Sequence, residues 1–351
     1  MANGLFGGGS GTSTDPFLVE DIADLQAANT YGKYYKQVAD IDLSEYNTGI
    51  GWVPVEISKG YGDTSFNYDG NGYKILNLYQ NNPTSIRCGI FHLLLPITYG
   101  GISPVSNHNI TNLTVLNANV TAKSAGLICS SSCYMVTTIG SNGKSTSNIN
   151  ITNCFVEGVV VSKVTGDSYI AASAGLIGPQ EYSTSAKYSS SVYYNITSCV
   201  AALDVTISVV DNHPLGTTSD IGLLGVTKSK DTNYLYMVIS NSMIIGNVNV
   251  ITGPGSKGIL NVCGIADVNN STTTTLNNCA TNLSFNLTVE DEEMVVNCFY
   301  FTQNVDNADT LLANHEKGQL DRHIYDNLHY LTDEQMKDLS YYKNMGWIVY
   351  E

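Results

Sequence analysis

Residues 151–161 read ITNCFVEGVVV, and variants of this phrase recur along the chain. Its side chains alternate, so that Glu157, Val159 and Val161 share one face and Val156 and Val160 share the other. This period of two is typical of a β-strand. The five copies begin 41, 45, 43 and 37 residues apart and are ITNLTVLNANV (110–120), ITNCFVEGVVV (151–161), ITSCVAALDVTI (196–207), ISNSMIIGNVNV (239–250) and LNNCATNLSFNL (276–287).

A second phrase lies between successive copies of the first. It reads SAGLIC at 124–129, SAGLIG at 173–178, DIGLLG at 220–225 and VCGIAD at 262–267. A repeat of about 40 residues that combines short strands is the pattern of a repeat protein, in which each unit buries its apolar face on its neighbours. The sequence therefore predicts an all-β solenoid.

The fourth position of the first phrase carries a small or apolar residue in every copy. These residues are Leu113, Cys154, Cys199, Ser242 and Cys279. In a solenoid equivalent positions stack, and we therefore predict that the thiols form a column inside the coil. The preceding asparagines are expected at corners, because Asn tolerates left-handed backbone angles and its amide can bridge adjacent coils; they are Asn112, Asn153, Asn241 and Asn278.

The composition agrees with short strands and tight turns. The chain has 351 residues, of which 43% are apolar and only 13% are charged, and it contains 36 Asn and 32 Gly. Its formal net charge is −15. Such an acidic chain lacks the basic surface that binds nucleic acid, and no apolar run is long enough to span a membrane. We expect neither a nucleic-acid partner nor membrane insertion.

The first residues, MANGLFGGGSG, lack the basic and apolar regions of a secretory signal. We therefore expect synthesis in the cytoplasm without a leader. The eight cysteines show no zinc spacing and no Cys-x-x-Cys pair, which favours reduced, buried, structural thiols. The sequence predicts no metal site and no cofactor.

Four regions are expected along the chain. They are a Gly-rich attachment arm (1–14), an N-terminal cap with the first strands (15–60), the β-helix (61–310) and a C-terminal cap with a short helix (311–351). A short helix around Ile22–Gln26 follows a strand at Phe17–Val19, and Val38–Leu43 is predicted as the next strand. A capping box of Thr332 and Gln335 opens the C-terminal helix, predicted over 331–347. Ser/Thr/Tyr-rich stretches at 130–148 and 179–195 are expected as insertions that leave the solenoid.

The order of these segments resembles that of GLUG-motif proteins. The resemblance rests on GGGSGTSTDPFLVEDIADLQAA (7–28), GWVPV (51–55), the Gly-Leu-Ile-Gly phrases and the closing LTDEQMKDLSYYKNMGW (331–347). It implies a right-handed parallel β-helix. Members of this family are often bacterial surface proteins or proteins carried on bacteriophage particles. The longer Tyr-rich insertions depart from the family pattern.

Two groups of acidic residues have alternative interpretations. Asp69-Gly70-Asn71-Gly72 suits a tight turn, and its oxygens also suit a calcium ion. Asp40 and Asp42 lie on one face of a predicted strand. Paired carboxylates can cleave glycosidic bonds, but an exposed strand face near the N-terminal cap is the simpler interpretation.

Six tyrosines in or beside the insertions are the candidate ligand contacts. Tyrosine rings give contact area at low entropic cost and stack on sugar faces, although the same rings can pack over the solenoid. The six are Tyr182, Tyr188, Tyr193, Tyr194, Tyr234 and Tyr236.

The leading functional hypothesis is a non-enzymatic bacteriophage virion protein in a tail fibre, tail spike, head fibre or decoration role. Its arm would bind other virion proteins, and its β-helix would attach to a bacterial surface glycan or protein receptor, with a trimer as a possible assembly. The alternatives are a polysaccharide-degrading tail spike enzyme and a purely structural virion spacer.

Overall fold

The computed structural model describes residues 5–57, 65–96, 105–134, 144–164, 172–182, 189–209, 219–222, 234–264, 272–290, 294–299, 323–326 and 328–337. Regular structure in these ranges is almost entirely β-strand, with an α-helix α1 at Ile22–Ala27 and 3-10 turns at Ser44–Tyr46 and Gln335–Lys337. Among these residues no helix has both the length and the apolar character needed to cross a bilayer.

The strands form three sheets, in which the described strands pair in parallel. Sheet 1 contains β1 (Phe17–Val19), β2 (Lys33–Gln37), β5 (Phe66–Asp69), β9 (Val105–Thr111), β12 (Lys144–Thr152), β15 (Ser189–Thr197), β18 (Tyr234–Ser240), β21 (Thr272–Asn277) and β24 (His323–Asp326). Sheet 2 contains β3 (Ile41–Asp42), β6 (Lys74–Leu76), β7 (Tyr79–Asn82), β10 (Thr114–Ala122), β13 (Phe155–Val164), β16 (Val200–Val209), β19 (Met243–Thr252), β22 (Ala280–Val289) and β25 (His329–Tyr330). Sheet 3 contains β4 (Val55–Ile57), β8 (Phe91–Pro96), β11 (Ala125–Tyr134), β14 (Ala172–Tyr182), β17 (Ser219–Gly222), β20 (Gly258–Cys263) and β23 (Met294–Phe299).

The chain visits the three sheets in turn. From β9 to β23, each strand of sheet 1 is followed in the chain by a strand of sheet 2 and then by a strand of sheet 3. Each strand pairs with the strand of the same sheet from the preceding turn of the chain. This arrangement is like that of a parallel β-helix. It confirms the predicted all-β class, whereas the right hand of the winding and the exact number of coils stay predictions.

The predicted column of thiols lies in the interior. Phe155 pairs with Val200, which sets Cys154 opposite Cys199 on the neighbouring strand connection. Both cysteines are buried, and so are the equivalent residues Leu113, Ser242 and Cys279. Burial raises the pKa of the Cys154 thiol, and the adjacent Cys199 raises that pKa further. The stack of equivalent positions is therefore confirmed.

The predicted asparagine corners are confirmed as well. Asn112, Asn153, Asn241 and Asn278 have φ angles between 48° and 55°, in the left-handed region. Their amides bridge successive strand connections, since the Asn153 Nδ2 donates to the Asn112 Oδ1 at 2.8 Å and the Asn278 Nδ2 donates to the Asn241 Oδ1 at 2.8 Å. Ser198 occupies the same corner in the third copy, with φ 55°.

The predicted insertions are shorter than expected. β11 extends to Tyr134 and β12 begins at Lys144, both inside the stretch 130–148 that was expected to leave the solenoid. In the same way β14 reaches Tyr182 and β15 begins at Ser189. Thr and Tyr favour strands, so a stretch rich in them does not by itself distinguish a loop from the end of a strand. The remainders, 135–143 and 183–188, lie outside the described residues.

Residues 5–14 of the predicted attachment arm pack on the N-terminal cap. The Gly7 N–H donates to the Leu18 carbonyl at 2.9 Å, and the Leu18 N–H donates to the Gly8 carbonyl at 3.0 Å. The Phe6 ring stacks on Phe17 with centroids 4.6 Å apart. Over the described residues, backbone pairing and aromatic stacking therefore attach this segment to β1, and its role in attachment to a partner stays a prediction.

The caps contain the predicted helix starts. Asp21 caps α1, where its side chain accepts from the Asp24 N–H at 2.9 Å. At the other end the Thr332 N–H donates to the Gln335 Oε1 at 2.9 Å, and the Gln335 N–H donates to the Thr332 Oγ1 at 3.2 Å. This reciprocal pair is the predicted capping box. The rest of the predicted helix lies outside the described residues.

Candidate functional site

The outer face of sheet 2 has a depression where backbones approach closely. Ala118, Gly158, Leu203 and Gly246 lie in one row across four strands. A Cβ on Gly158 would lie 2.4 Å from the Ala118 carbonyl oxygen, and one on Gly246 would lie 2.0 Å from the Leu203 oxygen. The Gly246 φ of 128° also disfavours any side chain. The glycines therefore allow the backbones of adjacent strands to approach closely at this point of the sheet.

A groove of about 900 Å³ runs over this floor. It crosses β10, β13, β16, β19 and β22, so that four inter-strand spacings of about 4.8 Å give it a length of about 19 Å. Its walls carry three carboxylates, several amide or hydroxyl groups and a few apolar side chains. They include Glu157, Asp204 and Asp333; Asn117, Asn247, Asn282 and Ser284; and Val159, Ile245 and Met336.

Side-chain hydrogen bonds orient two of the carboxylates. The Asn247 Nδ2 donates to the Asp204 Oδ1 at 2.8 Å, and the Asn282 Nδ2 donates to the Asp333 Oδ1 at 3.0 Å. Asp333 also follows the capping-box residue Thr332, which fixes the chain at that end. The wall therefore presents carboxylates in defined orientations at both the middle and one end of the groove.

The groove is electronegative. Glu157, Asp204 and Asp333 line it, and among the residues that the structure describes its lining includes no lysine, arginine or histidine. The net charge of −15 on the whole chain adds to the local potential. The described lining therefore favours a neutral or positively charged ligand over an anion.

Two of the six candidate tyrosines form a pair on sheet 1. Tyr193 in β15 lies opposite Tyr236 in β18, and their rings stack with centroids 4.4 Å apart and an interplanar angle of 7°. Both side chains are partly exposed. Each ring covers a face of the other, so the pair offers mainly ring edges and hydroxyl groups to solvent. Their role as ligand contacts stays a prediction.

Of the other four tyrosines, the structure describes the side chain of Tyr194 alone. Tyr194 is only 2% exposed, and its proposed role as a surface contact is therefore wrong. Residues alternate between faces along β15, and the pairing that exposes Tyr193 turns Tyr194 into the core. Tyr182 and Tyr234 lie on β14 and β18, where their side chains are outside the described part of the structure, as is the whole of Tyr188.

The acidic pairs singled out in the sequence serve local structure. The Asp69 Oδ1 accepts hydrogen bonds from the Asn71 N–H and from the Asn112 Nδ2, both at 2.8 Å. The Tyr73 N–H donates to the Gly70 carbonyl. This segment therefore forms the predicted turn. The Asp42 Oδ1 accepts from the Asn77 Nδ2, and this bond lowers the pKa of the Asp42 carboxyl. Within the described ranges no three His, Cys, Asp or Glu side chains are arranged to hold a metal ion.

The groove was not predicted from the sequence. The available signal was the pair of glycines inside strands of the first phrase, at Gly158 and Gly246, because glycine within a strand marks a bulge or a close backbone approach. The exposed Asp204 and Asn247 at equivalent positions of successive copies were the second signal.

Comparison with known proteins supports the architecture. No protein-family model matches the chain. A segment of 169 residues, 45% of this chain, is 30% identical to part of "Halomucin" from Haloquadratum walsbyi, and 99 residues, 26% of this chain, are 32% identical to part of a "Putative Gly-rich membrane protein" from Evansella cellulosilytica. These segments span only 2% and 11% of the two relatives.

One solved structure resembles the whole stack. The crystal structure of a "putative immunoglobulin A1 protease" from Bacteroides ovatus aligns with a TM-score of 0.50 at 16% identity, covering 94% of this chain and 79% of that chain. At this identity the likeness concerns the fold alone. The chain is thus a protein of parallel strands in stacked sheets, with a β-helix-like architecture.

Proposed function

We propose that this chain is a non-enzymatic attachment protein that acts at a surface and binds carbohydrate through its β-helix-like stack. The observation that carries the proposal is the groove on sheet 2, which is about 19 Å long by strand spacing and is lined by amide, hydroxyl and carboxylate side chains. Polar side chains on a rigid scaffold suit recognition of sugar hydroxyl groups, because little order is lost when the ligand binds.

A surface location is supported by one of the relatives, which is named a membrane protein. The finer version of the proposal is a bacteriophage virion protein in a fibre, spike or decoration role, with residues 1–14 or other parts of the chain bound to virion partners. That version rests on the resemblance to GLUG-motif proteins. Several copies on one particle would raise the avidity of a weak glycan site.

A glycan array tests the general proposal. The full chain, labelled on a surface lysine, is expected to bind a restricted set of glycans, and binding should rise steeply when the chain is displayed in several copies on a bead. No binding to any glycan in the multivalent format would contradict the proposal. Mass spectrometry of purified phage particles tests the proposal of a virion protein. Absence of the chain from the particles would contradict that proposal.

A polysaccharide-degrading enzyme is the second candidate, and a specific pair of residues favours it. Val159 lies opposite Asp204, so Glu157 and Asp204 are diagonal neighbours on adjacent strands. Both side chains line the same groove, and glycosidases use two carboxyl groups that flank the bond to be cleaved. New reducing ends after incubation with a bound glycan, lost in both Glu157→Gln and Asp204→Asn, would establish this function instead.

A further inference from the structure

We propose that the groove on sheet 2 selects oligosaccharides that carry free amino groups and binds them across the strands, along the direction in which the sheets stack. This inference rests on the proposed function and names the class of glycan that the described site fits. It depends on three features of the groove: a floor of strands that have neighbours on both sides, polar side chains on successive strands, and three carboxylates with no basic residue in the described lining.

The paired floor argues against a peptide ligand. β13, β16 and β19 each have a parallel neighbour on both sides, so their backbone groups are occupied by the sheet. An extended peptide usually binds by adding a strand to a free edge, which this floor does not offer. The ligand must therefore be recognised by side chains.

The side chains of the groove suit a sugar. Asp204 and Asn247 form a hydrogen-bonded pair that presents planar acceptor and donor groups together, and Asn282 and Asp333 repeat this arrangement at one end. Successive strands place such groups about 4.8 Å apart along the groove. Val159, which is 44% exposed, lies beside them and offers apolar surface to the C–H face of a sugar ring.

The charge of the groove selects among sugars. Glu157, Asp204 and Asp333 line the groove, and no basic residue is among the described residues of its lining. A protonated amine forms charge-assisted hydrogen bonds with carboxylates, whereas a uronic acid or a sulfated sugar would be repelled. The groove is therefore expected to prefer an amino sugar oligomer to its N-acetylated form and to exclude acidic oligomers.

Titration calorimetry at mildly acidic pH and low salt tests this with three probes: a glucosamine tetramer, its N-acetylated counterpart and an oligogalacturonate. The expected order of affinity is amine, then N-acetyl, then no detectable binding of the acid. Asp204→Asn and Glu157→Gln should each weaken amine binding about 3- to 10-fold. Asp42→Asn is the matched control, because Asp42 is an exposed carboxylate on sheet 2 that also accepts from an asparagine amide but lies outside the groove lining.

A second variant tests the location independently of charge. Ala202 points into the groove between Glu157 and Ile245, and Ala202→Trp should fill it and abolish binding while the thermal unfolding midpoint stays near that of the native chain. Equal affinity for the amine and N-acetyl tetramers, equal binding by Asp204→Asn and Asp42→Asn, or unchanged binding by Ala202→Trp would each overturn the inference. If one of these results is obtained but the glycan array shows binding of other glycans, the proposed carbohydrate-binding function stands and only the inference about amino sugars fails. If the array shows no binding at all, both the inference and the proposed function fail.

Discussion

At the scale of the residue, the corner asparagines show how one side chain serves two requirements. Each adopts a left-handed backbone angle that most residues avoid, and its amide continues a ladder from one strand connection to the next. Ser198 interrupts this ladder between Asn153 and Asn241. The sequence made the corners predictable because the same residue type returned at the same position of four copies.

Ser198→Asn should therefore stabilise the protein. The new amide can donate to Asn153 and accept from Asn241, and one such hydrogen bond contributes about 0.5–1.5 kcal/mol to the free energy of unfolding. Urea unfolding of the native chain and the variant measures the change. Asn153→Ala serves as the opposite control and is expected to lose about 1–2 kcal/mol, since it removes the amide and places alanine at a left-handed angle. A Ser198→Asn variant no more stable than the native chain would contradict the ladder argument.

His92 makes the stability depend on pH. The ring is 3% exposed and its Nδ1 lies 2.9 Å from the Ser130 Oγ. Burial, with a contribution from Arg87, lowers the pKa of His92 from 6.5 to about 4. The unfolded chain binds this proton below about pH 6.5 while the folded chain does not, so stability falls as the pH decreases from 6.5 towards 4.

The expected loss from this one group is on the order of 2 kcal/mol between pH 6.5 and pH 5, from about 1.4 kcal/mol per pH unit. His92→Gln keeps a polar partner for Ser130 but cannot take up a proton. Urea unfolding of both proteins at the two pH values isolates the contribution, because other titrating groups are common to both. Parallel stability curves for the native chain and His92→Gln would show that His92 does not carry the dependence.

At the scale of the element, the sequence predicted the strands of the repeats and β1 of the cap, but not the length of the next expected strand. The expected strand Val38–Leu43 is shorter in the structure, because β2 ends at Gln37 and β3 is confined to Ile41–Asp42. The Gln37 side chain donates to the carbonyls of Ala39 and Lys74, and so stabilises a turn between the two strands. This long-range bond cannot be recognised from alternation alone.

Gly246 tests how the floor of the groove is built into β19. In Gly246→Ala the new Cβ would meet the Leu203 oxygen at 2.0 Å and the backbone angle would be strained, and we expect a loss of at least about 2 kcal/mol in the free energy of unfolding. Gly72→Ala is the matched control, because its φ of 82° is also positive but nothing lies within 4 Å of the new Cβ; it should lose only about 1 kcal/mol. Equal losses in the two variants would mean that close approach at Gly246 is unimportant.

At the scale of the whole molecule, the repeats determined what could be predicted. Stacking follows from equivalent positions such as Cys154 and Cys199, so the class of fold could be inferred without any structure. The groove could not, because its floor depends on which strands adjoin and on the bulge where the register of β10 against β13 shifts. The same reason explains Tyr194, whose burial is decided by the face of sheet 1 that the pairing assigns to it.

A stack in which each strand contacts only its neighbours should open from its ends rather than all at once. The buried thiols report this opening, because burial raises the pKa of Cys279 to about 12 and also raises that of Cys154, while the partly exposed Cys298 has a pKa raised to about 11. Only transient opening allows such thiols to react.

Pulsed alkylation of the native chain, followed by mass spectrometry, is expected to label Cys298 first, then Cys279 beside the last strands of sheet 2, and Cys154 last. If Cys154 and Cys279 react at one common rate that equals global unfolding, the stack opens as a single cooperative unit and the nearest-neighbour description is wrong.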